Sequence, residues 1–152
     1  MRIVIAAAGR LRRGAVHDLI ATYRKRIVWP LEIREVQEKR QSPPGGLMAA
    51  EAALLLQALP ESGPVVALDE RGDDLSSNAF AQLLSTWRDG GEPACGFVIG
   101  GADGLHGSVR ARATRTVRFG RQTWPHMLAR AMLVEQIYRA QQILAGHPYH
   151  RE

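Results

Sequence analysis

The stretch Cys95-Gly96-Phe97-Val98-Ile99-Gly100-Gly101-Ala102-Asp103-Gly104 decides the fold. Five uncharged residues run straight into glycines, which reads as a strand buried on both faces that ends in a tight turn. Strands of that kind belong to parallel sheets covered by helices, because a half-exposed strand would alternate apolar and polar residues. Two more segments have the same character: residues 2–8 (RIVIAAA), ending at Gly9, and Val65-Val66-Ala67-Leu68-Asp69, opened by Pro64. Residues 31–37 (LEIREVQ) do alternate and predict a half-buried or edge strand. Between these lie helical spacings. Val16, Leu19, Ile20, Tyr23 and Ile27 share one side of 15–28, and 47–59 is rich in alanine and leucine. Ala79, Phe80, Leu83, Leu84 and Trp87 mark a third helix, with capping side chains expected between Asp73 and Ser77 and a stop at Gly90-Gly91. Downstream come a short helix, a short strand near 116–119, and a helix over about 126–145 carrying Ala129, Leu133, Ile137, Ala140 and Leu144 on one face. The alternation predicts a single α/β domain over residues 1–152, a mostly parallel sheet with helices on both faces. Arg40 to Gly46 reads as a Pro/Gly loop around Pro43-Pro44.

Composition narrows the class. A chain of 152 residues can bury one real core, and no apolar run reaches membrane-spanning length. The first residues read directly into a strand with no signal-type segment, and the lone Cys95 cannot form an internal disulfide. A cytoplasmic protein with no membrane partner is therefore expected. The net charge is +5, and Lys25 and Lys39 are the only lysines among 20 basic residues. Arg110, Arg112, Arg115, Arg118, Arg121 and Arg130 share a segment without an acid, and seven basic residues between Arg2 and Arg26 face Asp18 alone. Such stretches attract polyanions; a plain solvated positive face is the alternative.

Ligands of open α/β sheets sit outside the carboxyl ends of strands, where glycines let the backbone approach closely. Gly100 to Gly104 lies at one such end, Leu68-Asp69 at another, and the connector Gly120 to His126 returns to the same edge. The glycine turn is neither a P-loop, lacking the GK[ST] ending, nor the early dinucleotide fingerprint. Trp124 and Pro125 are costly choices for a plain connector and either wall a pocket or fill core. His126 is an acid or base near neutral pH, or a helix-start cap. Glu135 and Arg139 are four apart and share a helix face. The end, His147-Pro148-Tyr149-His150-Arg151-Glu152, is dense in donors, acceptors and ring surface and either meets a partner or packs back on the body. Cys95, His126, His147 and His150 show no ligand spacing, so no metal is expected.

Together, IGGADGL (Ile99–Leu105), the Arg-rich segment and TWPHMLARAMLVEQIYRAQQILAGHPYHRE (Thr123–Glu152) resemble the RlmH family of small SPOUT-class methyltransferases. The resemblance covers nearly the whole chain and is strongest from Ile99 onward. It implies a trefoil knot in the C-terminal third, a homodimer, and S-adenosylmethionine bound bent in the knot. It implies methylation of ring nitrogen 3 of a pseudouridine in large-subunit (23S) ribosomal RNA. Leu68, Gly101, Gly120, Arg121, Gln122, Thr123, Trp124 and Pro125 would hold the cofactor. Arg139 would favour the anion on the uracil ring, His126 or Glu135 would take its proton, and Tyr149, His150 and Arg151 would hold the RNA. The tail of one subunit would complete its partner's site. Trp124 stands where relatives carry an aliphatic residue before Pro-His. Three other readings remain: a SPOUT enzyme with a different RNA target, a non-enzymatic ribosome- or RNA-binding module, and another nucleotide-using enzyme such as a small oxidoreductase.

Overall fold

The apolar segments pair as five strands. The computed structural model describes residues 1–38 and 46–149, so the Pro43-Pro44 loop, His150 and Arg151 lie outside the described residues. The strands are β1 (Arg2–Ala8), β2 (Leu31–Val36), β3 (Val65–Asp74), β4 (Ala94–Ile99) and β5 (Arg115–Arg118). They form one sheet in the order β2-β1-β4-β3-β5, and every pairing is parallel. The helices are α1 (Ala15–Arg24), α2 (Gly46–Ala58), α3 (Ser77–Asp89), α4 (Gly107–Arg112) and α5 (His126–Leu144).

Side chains alternate across the sheet, so each strand feeds two cores. Ile3, Ile5, Phe97 and Ile99 pack with Ile20, Phe80, Leu84, Leu133 and Ile137 under α1, α3 and α5. Ala6, Val65, Ala67 and Val98 pack with Ala52, Leu55 and Val109 under α2 and α4. Both faces are therefore covered, which is why β4 and β1 from Ile3 onward are uncharged and buried. β2 is the edge strand that its alternation predicts.

β3 runs further than its apolar run suggests. Its pairing with β5 breaks between Leu68 and Asp73 and resumes, so residues 69–72 bulge while Asp73 and Asp74 rejoin the ladder. Within the Asp73–Ser77 stretch expected to cap α3, the cap is Ser76, whose Oγ accepts from Ala79 N at 3.1 Å, while Asp73 and Asp74 pair with β5.

The basic segment 110–130 also needs correction. Arg118 pairs with Asp74 at 2.6 Å, Arg130 with Glu35 at 2.6 Å and Arg110 with Asp69 at 3.5 Å. Three of its six arginines have acids from distant elements, which a local charge count does not see. The segment Arg10 to Arg13 differs. Arg10, Arg12 and Arg13 are exposed, and their side chains have no hydrogen bond or ion pair among the described residues.

Cys95 is fully buried in β4, and desolvation pushes its thiol up to about 12. A buried thiol is inert because the thiolate is the reactive form. A disulfide exchange reagent at pH 8 is expected to label none of the native protein within minutes and one thiol per chain in denaturant. Fast labelling of the native protein would mean that β4 is not held at the centre of the sheet.

Candidate active site

The carboxyl ends of β3, β4 and β5 open into a cleft of about 490 Å³. That volume is typical of small-molecule sites. Leu68, Ile99, Val117 and Phe119 form apolar wall, and the turn Gly100–Gly104 forms the floor. The turn is tight: Gly104 N donates to Gly101 O at 3.1 Å. A Cβ on Gly100 would lie 2.5 Å from Gly104 O, so only glycine permits this closure. Asp69, at the start of the bulge, accepts from Arg71 N at 3.0 Å and faces Arg110. Its carboxylate closes a turn at the strand end.

The connector from β5 to α5 makes the far wall. Trp124 Nε1 donates to Phe119 O at 2.7 Å, which folds residues 119–124 into a closed loop with a half-exposed indole. The large aromatic at this position is explained by that bond and by its place on the cleft wall. Of the residues expected to hold a cofactor, Leu68, Gly101, Gly120, Gln122, Thr123 and Trp124 line the cleft, and His126 lines it too. Arg121 and Pro125 do not. Arg121 is exposed, and Pro125 caps α5, its carbonyl accepting from Ala129 N at 2.9 Å.

Glu51 on α2 is a part of this site that sequence reasoning misses. Its Oε1 accepts from Gly101 N at 3.1 Å, and a Cβ on Gly101 would touch its carboxylate. The available signal was that Glu51 is the only charged residue in α2.

Glu135 and Arg139 form a second centre, further along α5. Arg139 donates to Glu135 Oε1 through Nη2 at 2.6 Å and Nε at 2.9 Å. Tyr149 O–H donates to the same oxygen at 3.2 Å, and Gln136 Nε2 to the other at 2.7 Å. The Tyr149 ring meets Tyr138 edge-on at 4.8 Å and lies 5.0 Å beneath the Arg139 guanidinium. Burial, the Tyr23 hydroxyl and the Glu135 carboxylate all push the Tyr149 phenol up, which keeps it protonated and donating. The Glu135 hydrogen bond raises Arg139 further above its usual value, so the guanidinium stays charged. Glu135 lines a neighbouring cavity that shares Val117, Arg118, Phe119 and Gly120 with the cleft wall. Glu135 is nine positions beyond His126, about 13 Å along a helix that rises 1.5 Å per residue.

The cleft has the volume of a small-molecule site, with apolar side chains on one side and glycine backbone on the other. The family model described as "Predicted SPOUT methyltransferase" matches residues 1–150. The chain belongs to the SPOUT methyltransferase family. Among its curated relatives, "Ribosomal RNA large subunit methyltransferase H" of Rhodospirillum centenum is 56% identical over 151 residues, covering 99% of each chain. The protein of the same name in Paramagnetospirillum magneticum is 52% identical over 151 residues, again with 99% of each chain covered. Solved structures of a probable methylase family protein from Haemophilus influenzae and a probable methyltransferase from Bordetella pertussis share the fold. Each superposes with a TM-score of 0.60, at 10% and 16% identity, covering 99% and 91% of this chain and 70% and 95% of theirs. SPOUT membership places the sheet in the knotted α/β class that the resemblance implied. Among the described residues, no helix is long and apolar enough to cross a membrane and no group of three acids, histidines or cysteines could hold a metal.

Proposed function

We propose that this SPOUT protein methylates ring nitrogen 3 of a pseudouridine in large-subunit ribosomal RNA. It uses S-adenosylmethionine and works as a homodimer in the cytoplasm. The observation that carries the reading is a glycine-floored cleft at the strand ends of a chain 56% identical, over 99% of its length, to a large-subunit ribosomal RNA methyltransferase.

The cleft residues fit the cofactor. Leu68, Ile99 and Phe119 offer apolar surface for a purine, and the 100–104 turn presents backbone groups to its polar edges. Bound there, S-adenosylmethionine supplies a methyl group activated by its sulfonium. The chain supplies alignment and charge. Ring nitrogen 3 is an imide N–H and attacks only as its proton leaves. Holding nitrogen and methyl in line is worth several kcal/mol, up to about 7–11 in the best cases. The cation of Arg139 favours the anion that forms on the ring. Four hydrogen bonds occupy the Glu135 carboxylate, so its oxygens are already engaged and it serves as the anchor for Arg139. His126, in the cleft, is the better proton acceptor. The distance along α5 between His126 and Arg139 favours a composite site, in which Arg139 and the tail from Tyr149 through His150 and Arg151 come from the partner subunit.

The test is calorimetric titration with S-adenosylmethionine and, as control, NAD, then mass spectrometry of ribosomal RNA from a deletion strain. Saturable binding of the first ligand alone, with loss of one methyl from a pseudouridine in large-subunit RNA, is the expected result. Binding with the lost methyl elsewhere would move the target and keep the chemistry. NAD binding alone would favour the oxidoreductase.

A further inference from the structure

We propose that the cleft between residues 9–14, α1 and β2 is a second RNA site, one that takes backbone phosphates beside the methyl-transfer cleft. The inference rests on reading the chain as a ribosomal RNA methyltransferase. This cleft holds about 540 Å³, and its walls include Arg10, Arg13, His17 and Arg24. It lies against the cofactor cleft, because its floor residue Arg130 is one turn of α5 beyond His126.

Four observations point to a polyanion. The first is the unspent charge: Arg10, Arg12 and Arg13 are exposed and have no side-chain partner among the described residues. Among the described residues, the one hydrogen bond of the Arg24 side chain is to the Leu31 carbonyl, at 3.3 Å. The second is that the acids nearby are already engaged. Glu35 faces the cleft but carries Arg130 at 2.6 Å and Leu11 N at 3.0 Å, and Asp18 is bonded to His17 at 3.1 Å. The third is α1 itself. Its N-cap is Gly14, with no side-chain cap, so the positive end of a ten-residue helix opens toward the arginines. The fourth is Arg130, fully buried beneath the cleft with its Nε unbonded.

The chemistry favours RNA over an acidic protein. Arginine forks match phosphate oxygens in pairs, and a run of phosphates suits several forks spaced along one turn. Its apolar lining is Leu11, Ile20, Ala21 and Ile33, with no tryptophan, tyrosine or phenylalanine among the described lining residues, and protein interfaces draw most of their affinity from aromatic and arginine anchors seated in apolar pockets. The arrangement also suits the task. An enzyme that must hold one base in line gains from gripping the strand a short way off, where contacts fix register without reading sequence.

The test compares the full-length protein with the triple variant Arg10→Ala/Arg12→Ala/Arg13→Ala and with the corresponding triple lysine variant. Affinity for a 23S transcript and for ribosomal large subunits is measured from 50 to 200 mM salt. S-adenosylmethionine affinity is measured in parallel. The alanine variant should bind the transcript at least about 10-fold more weakly at 50 mM salt, with a log–log salt slope shallower by about 2 to 3. Its KM for RNA should rise with kcat nearly unchanged, and the lysine variant should recover most of the affinity. An unchanged salt slope would overturn the proposal. So would a loss seen with large subunits and not with the transcript, since that would assign the arginines to a ribosomal protein. The binding readout needs no methyl transfer. Failure of the wild type to bind S-adenosylmethionine would strike the catalytic reading, while the slopes would still judge this one.

Discussion

Replacing Arg130 by methionine is expected to destabilise the protein by about 2–4 kcal/mol, lowering its melting temperature by roughly 5–15 °C. Arg130 is fully buried, and desolvation works against its charge while Glu35 opposes that effect. Its guanidinium donates to Glu35 at 2.6 Å and to the carbonyls of Ala8 and Gly9, each at 3.0 Å. One side chain thus ties α5 to the ends of β1 and β2. Methionine fills most of the volume but leaves two carbonyls and a carboxylate without their donor, and an orphaned buried acceptor costs more than the bond was worth. The figure stays below the full cost of breaking a buried pair because the Glu35 side chain keeps a third of its surface in water. Thermal unfolding of Arg130→Met, Glu35→Leu and the double variant checks this. The double variant should lose less than the sum of the singles, because removing both partners leaves no charge stranded. A single variant as stable as the wild type would show that the clasp holds nothing. Gly9 makes the clasp matter for the site. Its φ is 82°, and a Cβ there would meet Met127 at 3.0 Å and His126 Nε2 at 3.3 Å. Loosening Gly9 therefore loosens the wall that seats His126.

Arg139→Ala should leave S-adenosylmethionine affinity within about twofold and reduce kcat by about 10²–10³, the scale of removing one group that stabilises developing charge. The first half follows from the position of Arg139, which is not among the residues lining the cofactor cleft. The second follows from its held geometry, with Glu135 beneath and Tyr149 against its face. A parallel loss of cofactor affinity would move Arg139 into the cofactor site. Composite sites add a sharper check. Mixing Arg139→Ala with Gly100→Val, whose side chain collides with Gly104 O, should restore activity in the mixed dimer. One of its sites would then combine an intact cleft with an intact Arg139. If mixtures never recover, each subunit works alone and the composite reading fails.

The fold was legible where burial was uniform. β4 and β1 from Ile3 onward are uncharged and buried because helices cover both faces, and the stripe of α5 marked its packing against α1 and α3. The glycine turn was legible because strand ends leave few other uses for such a run. Long-range pairing was not. Arg130 sits on the same buried face as Leu133, Val134 and Ile137, yet in the chain it is one more arginine in a basic segment. Its acid lies on β2, and the acids of Arg110 and Arg118 lie on β3, all distant in the chain. Asp73 and Asp74 looked like cap residues because a bulge, invisible in composition, returns them to the ladder. At the tail, Tyr149 packs on Tyr138 and Arg139 of its own chain, a contact the sequence did not show.

The order of strands in the sheet also sets a timetable. β1 is synthesised first, but one of its two neighbours is β4, with Arg2 opposite Ala94, and β3 likewise waits for β4 and β5. Loop closure on that scale is slow, and topologies dominated by distant pairings fold slowly. During translation the emerging segment through Ala8 has only the edge strand for company, an apolar ribbon with one side unpaired. The protein's most aggregation-prone interval therefore falls while it is still being made, before roughly two-thirds of the chain has left the ribosome.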